Sequence, residues 1–110
     1  MARPARGAIA RMRGMSHVDF ASIRNHHEQA VFDAVLAQRH VYPAVDTDEL
    51  VADVACVALN RLPARYIRHP VDYLFYLTER ERADLEKAVR DAVKHAYEFV
   101  QARAAMRARR

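Results

Sequence analysis

Apolar residues recur at three- and four-residue spacing in three stretches of this chain, and that pattern predicts three helices. The first runs from about Asp19 to Arg39. Its stripe is Phe20, Ile23, His27, Ala30, Val31, Ala34 and Val35, and Pro43 prevents it from continuing. The second runs from about Asp48 to Arg61 and is apolar nearly all round, through Leu50, Val51, Val54, Ala55, Cys56, Val57, Ala58 and Leu59. Such a helix is expected at the centre of the fold. Asp46 or Thr47 can cap its start, and Pro63 disfavours helical geometry at Leu62. The third begins at the capping box Thr78-Glu79-Arg80-Glu81 and runs to Arg103 or beyond, on a stripe of Leu85, Ala88, Val89, Ala92, Val93, Ala96, Phe99 and Val100.

Between the second and third helices the period changes. Val71, Tyr73, Phe75 and Leu77 alternate with Asp72, Leu74 and Tyr76, which suggests an extended segment or short strand. A short helical turn starting at Pro70 is the alternative. A lone strand needs a partner, either Tyr66–Arg68 or a second copy of the chain. The predicted fold is mainly α, a small single domain of three main helices with a short extended segment around residues 65–77. Residues 17–103 form the domain, 1–16 a disordered basic arm, and 104–110 a basic tail.

The net charge of +4 is unevenly spread. Eight of the eighteen Lys and Arg residues lie in 1–15 and 101–110, while all fourteen acids lie between them. The middle of the chain is therefore acidic, and the ends alone carry the basic character. Basic ends can contact phosphate or anionic lipid; the plainer reading is solubilising, frayed termini. No apolar run reaches the length of a membrane span, and the single cysteine, Cys56, fits a reducing cytoplasm.

Little in the chain suggests catalysis. Both glycines, Gly7 and Gly14, fall in the arm, so the domain has no Gly-rich phosphate loop. Cys56 sits among apolar neighbours and is expected to be buried and inert. His26 and His27 are adjacent on a helix and point about 100° apart, so they do not converge on one ion. His27 falls on the apolar stripe and is expected to be a hydrogen-bonded core histidine. His40, His69 and His95 lack ligand spacing.

Binding chemistry is better represented. Asp53 and Asn60 lie two turns apart on one face of the second helix. They either shape a ligand pocket or serve structure, Asp53 bracing a neighbouring segment and Asn60 bonding carbonyls at the helix end. Arg61, Arg65 and Arg68 cluster beside Pro63 and Tyr66, with no acid between Asp53 and Asp72. Arginine offers planar paired donors to phosphate or to base edges, and tyrosine offers a stacking face. The combination suits a phosphate-bearing nucleotide; the alternative is three solvated arginines in a loop.

Asp53-Val-Ala-Cys-Val-Ala-Leu-Asn60-Arg-Leu-Pro63-Ala-Arg65-Tyr66-Ile67 resembles the signature of the ComFB family of late-competence proteins. Ile23-Arg-Asn25-His-His-Glu28-Gln-Ala-Val31 is similar to that family's first-helix pattern. The resemblance spans about residues 20–100. It implies a non-enzymatic homodimer acting in competence, type IV pilus or motility signalling, with some members serving as receptors for c-di-GMP or c-di-AMP. Asp53, Asn60, Arg61, Pro63, Arg65, Tyr66 and Arg68 are then the candidate ligand residues. Some members hold zinc through cysteines just before the signature aspartate. Here that stretch is Val45-Asp-Thr-Asp-Glu-Leu50, without a thiol, so no zinc or other cofactor is expected. Ala64 replaces the usual second proline and loosens the turn. The rival readings are a protein–protein adaptor using Tyr73–Tyr76 and, last, nucleic-acid binding through the basic ends.

Overall fold

A computed structural model describes residues 17–69 and 76–109. Among these residues three helices build the body: α1 (His27–Gln38), α2 (Asp48–Arg61) and α3 (Glu79–Ala108). Two short antiparallel strands, β1 (Arg24–Asn25) and β2 (Tyr66–Ile67), form a ribbon at one side. The arm 1–16 and the alternating stretch Val71–Phe75 lie outside the described residues.

The first helix starts eight positions later than the sequence pattern predicts, at His27 rather than Asp19. Local hydrogen bonds take the chain elsewhere first. The Asp19 carboxylate accepts from the Ala21 amide (3.0 Å), and the Asp19 carbonyl accepts from the Ser22 hydroxyl (2.8 Å). Those bonds close a 3-10 turn over Phe20–Ser22, and Ile23 is extended. Short polar side chains compete with the helix in this way. Phe20 and Ile23 are consequently exposed, and so is Ala30. The buried face of α1 is His27, Val31 and Val35, one residue per turn, with Ala34 half-buried against the core.

α2 has the predicted boundaries. Thr47 is its cap, its hydroxyl accepting from the Leu50 amide at 3.1 Å, and the chain turns extended at Leu62. It is less central than its composition suggests. Val51, Val54 and Ala58 are buried, Leu50, Ala55, Val57 and Leu59 are half-buried, and Cys56 is exposed. Among the described residues α1 and α3 are the helices that pack on it most closely, and two neighbours cannot cover a full circumference. The expectation of a buried Cys56 is therefore corrected.

α3 begins at the predicted capping box. The Glu81 amide donates to the Thr78 hydroxyl (3.1 Å), and that hydroxyl donates to the Glu81 carboxylate (3.1 Å), which stays off the Thr78 amide. The helix runs on to Ala108, so Arg103 and Arg107 ride on it. Its buried stripe is Val89, Ala92, Val93, Ala96, Tyr97 and Val100. Ala88 and Phe99, expected on the stripe, are exposed, whereas Tyr97, which the pattern omits, is completely enclosed.

Tyr97 ties α3 to α1 and to the connection that leads from α1 to α2. Its hydroxyl donates to the Val35 carbonyl at 2.6 Å, satisfying one of the carbonyls that the end of α1 leaves without a helical partner. Its ring stacks on Tyr42 with centroids 4.5 Å apart. Burial pushes the Tyr97 phenol above its ordinary pKa, which keeps it a donor.

Candidate ligand face: the ribbon latch and its groove

The ribbon is pinned to the start of α1 by hydrogen bonds that cross long stretches of sequence. Asn25 Oδ1 accepts from the His27 amide (3.3 Å) and from the Arg65 amide (3.2 Å). The His26 amide donates to the Arg65 carbonyl at 2.6 Å. His27 Nε2 lies 3.0 Å from the Pro63 carbonyl, which can only accept, so that nitrogen carries the proton. His27 is thus the hydrogen-bonded core histidine the sequence pattern predicts. Its Nδ1 is buried and has no partner among the described residues.

The register places Arg24 opposite Ile67 and Asn25 opposite Tyr66. Among the described residues, the partner of Tyr66–Ile67 is therefore the chain entering α1. Beside the ribbon, between α1 and α3, lies a groove of about 940 Å³. Arg24 and Ile67 reach it from the ribbon, and Arg82 and Arg90 from α3. Arg82, Glu86 and Arg90 recur every four residues, so they form one column along the helix. Glu28, Asp33 and Glu86 add carboxylates, and Phe32, Leu85 and Val89 supply apolar surface. His26 also lines the groove. Partial burial, then His27, then Arg65 hold its imidazole below the ordinary value of 6.5.

The groove is lined by none of the seven residues predicted to bind ligand. Arg61, Arg65, Tyr66 and Arg68 are all exposed, Tyr66 by 69%. The Arg68 guanidinium donates to His69 Nε2 at 3.1 Å. Pro63 contributes a carbonyl to the latch, and Arg65 contributes both its backbone groups. Asn60 is exposed and its side-chain amide donates to the Cys56 carbonyl (3.0 Å), one turn back inside α2 rather than among the carbonyls at the helix end. Asp53 is exposed too and lines a different, smaller groove between α2 and α3. Arg24, His26, Arg82 and Arg90 were not among the predicted residues. The four-residue spacing of Arg82, Glu86 and Arg90 was the available signal for the column on α3.

Among the described residues, no group of three His, Cys, Asp or Glu side chains is arranged to hold a metal ion. No helix among them is long and apolar enough to cross a membrane.

Fold and site together define a small three-helix domain with a latched two-strand ribbon and a charged groove. The family model of late competence development protein ComFB matches residues 24–104, and the chain belongs to that family. The match begins at Arg24, on the first strand of the ribbon, and takes in both sides of the latch. Comparison with curated proteins yields no match, and neither does comparison with solved structures.

Proposed function

We propose that this protein is a non-enzymatic cytoplasmic regulator that accepts a cyclic dinucleotide, c-di-GMP or c-di-AMP, on the ribbon and in the adjoining groove, in competence, pilus or motility signalling. The observation that carries this reading is the position of Arg24. The ribbon pairs it with Ile67 and sets it on the lining of the groove, next in sequence to the latch that holds Arg65 and Tyr66. Arg24, Arg82 and Arg90 line the groove, while Arg65 and Arg68 stand just before and just after the second strand of the ribbon. Such groups suit the two phosphates of a cyclic dinucleotide. The exposed Tyr66 ring offers a stacking surface for a base, and the groove carboxylates can accept from base N–H groups. Its volume of about 940 Å³ falls within the range of small-molecule sites, about 300–1,000 Å³.

A thermal-shift panel of cyclic dinucleotides tests the reading. A ligand present at about 100 times its Kd adds about 2.7 kcal/mol of apparent stability and shifts a domain of this size by several degrees. Arg24→Ala and Arg65→Ala are expected to keep the fold and lose the shift. If no cyclic dinucleotide moves the melting curve, the receptor reading fails and a protein adaptor takes its place. The adaptor reading has its own support in Tyr76, which is 81% exposed at the end of the aromatic stretch.

A further inference from the structure

On the far half of α3 the buried stripe stops before the helix does. Val100 is its last buried residue, yet the helix continues to Ala108, about 12 Å further. Along this stretch an exposed column has been built. The His95 ring stacks on Phe99 with centroids 6.4 Å apart, and the Arg103 guanidinium sits 5.8 Å from the centre of the Phe99 ring. Met106 is two turns beyond Phe99 on the same face and is 65% exposed. Beside the column, α2 and α3 enclose a groove of about 260 Å³, lined by Leu50 and Val57 from α2 and by Phe99, Arg103 and Arg107 from α3.

Aromatic, methionine and arginine side chains are the types most enriched at protein interfaces. Mutual stacking holds the column in place before any partner arrives, so docking gives up less side-chain freedom. Charge identifies the partner. From Phe99 to Arg109 the chain carries Arg103, Arg107 and Arg109 and no acid. Asp53 supplies one carboxylate on the opposite wall against two guanidiniums.

We propose that the α2–α3 groove and the column on α3 form a docking site for an acidic amphipathic helix of a partner protein. The apolar face of that helix lies on Leu50, Val57, Phe99 and Met106, and its carboxylates meet Arg103 and Arg107. A helix laid between two helices is a recurring mode of recognition. The exposed apolar surface favours protein over nucleic acid, which would use the arginines alone. This site is separate from the ribbon groove and does not depend on the proposed nucleotide.

The test uses the full chain and two fluorescent synthetic peptides of about 18 residues, long enough to form a helix. Both carry leucine at helical spacing; one carries glutamate at the remaining positions and the other lysine. Anisotropy is expected to show saturable binding of the glutamate peptide only, weakened by salt. The double substitution Arg103→Glu with Arg107→Glu should weaken it by about tenfold or more while the circular-dichroism spectrum stays that of a folded helical domain, because both side chains are exposed. Absence of saturable binding, equal binding of the two peptides, or indifference to the double substitution would each overturn the proposal. So would tighter binding of a DNA duplex to the same arginines. Sedimentation provides the last check. Self-association abolished by the double substitution would show that a second copy covers this face, and the partner-helix proposal would fall.

Discussion

Where α1, α2 and α3 meet, Val31, Val54, Val93 and Tyr97 are wholly enclosed; at the ribbon, Tyr66 is 69% exposed and Arg24 is open to solvent. The core is held by apolar burial, which is non-directional and tolerates small shifts. The latch is held by directed hydrogen bonds that join Asn25, His26 and His27 with Pro63 and Arg65. One region therefore sets stability, and the other sets where the candidate ligand residues stand. Substitutions in the two should have separable effects.

The largest effect is expected in the core. Tyr97→Ala removes an enclosed ring and should cost about 3–5 kcal/mol. Tyr97→Phe keeps the ring but strands the Val35 carbonyl, and should cost about 1–3 kcal/mol. Denaturant unfolding of the two variants gives both numbers. Equal stability of Tyr97→Phe and the parent would show that the hydroxyl bond contributes nothing net.

Next in size is the latch. Asn25→Ala removes the acceptor shared by the His27 and Arg65 amides and should cost about 1 kcal/mol. Hydrogen exchange sharpens the contrast. The Arg65 amide should exchange faster, while the amides of Val93 and Ala96 keep their protection. Uniform acceleration through α3 would mean that core and latch open as one unit.

The smallest effect concerns pH. The folded His26 imidazole is held below the 6.5 of an unfolded chain, first by burial and then by His27 and Arg65. Between those two values the unfolded chain binds more protons, so stability falls as pH drops through 6.5 and levels off below the folded value. Melting curves at about pH 7.5 and about pH 5.5 should show this loss, and His26→Gln should reduce it. An unchanged slope in that variant would place the effect on another group.

What was legible in the sequence follows the same division. Thr47, Thr78 and Pro63 act within a few residues of themselves, so the boundaries of α2 and the start of α3 could be read directly. The start of α1 could be read only in part, because the local bonds at Asp19 are joined by a bond that draws Asn25 out of the helix to Arg65, forty residues along. Apolar neighbours on α2 told that Cys56 sits on a helix but not which side of it would be covered. Tyr97 was missed because its polar atom finds a partner only once α1 lies across α3. The arginine–tyrosine cluster was visible as composition, but Arg24, on the strand facing it, needed the register. Both grooves arise from how helices pack, and no local pattern encodes that.

The bonds from Asn25 to Arg65 and from His27 to Pro63 span 40 and 36 residues. Closing loops of that length is entropically costly. The strands should therefore zip up only after α1 and α2 have met, and unzip while the helices stay packed. A molecule meeting this protein would then encounter the ribbon in two forms, closed and briefly parted, and could act as a timer by lengthening the closed intervals.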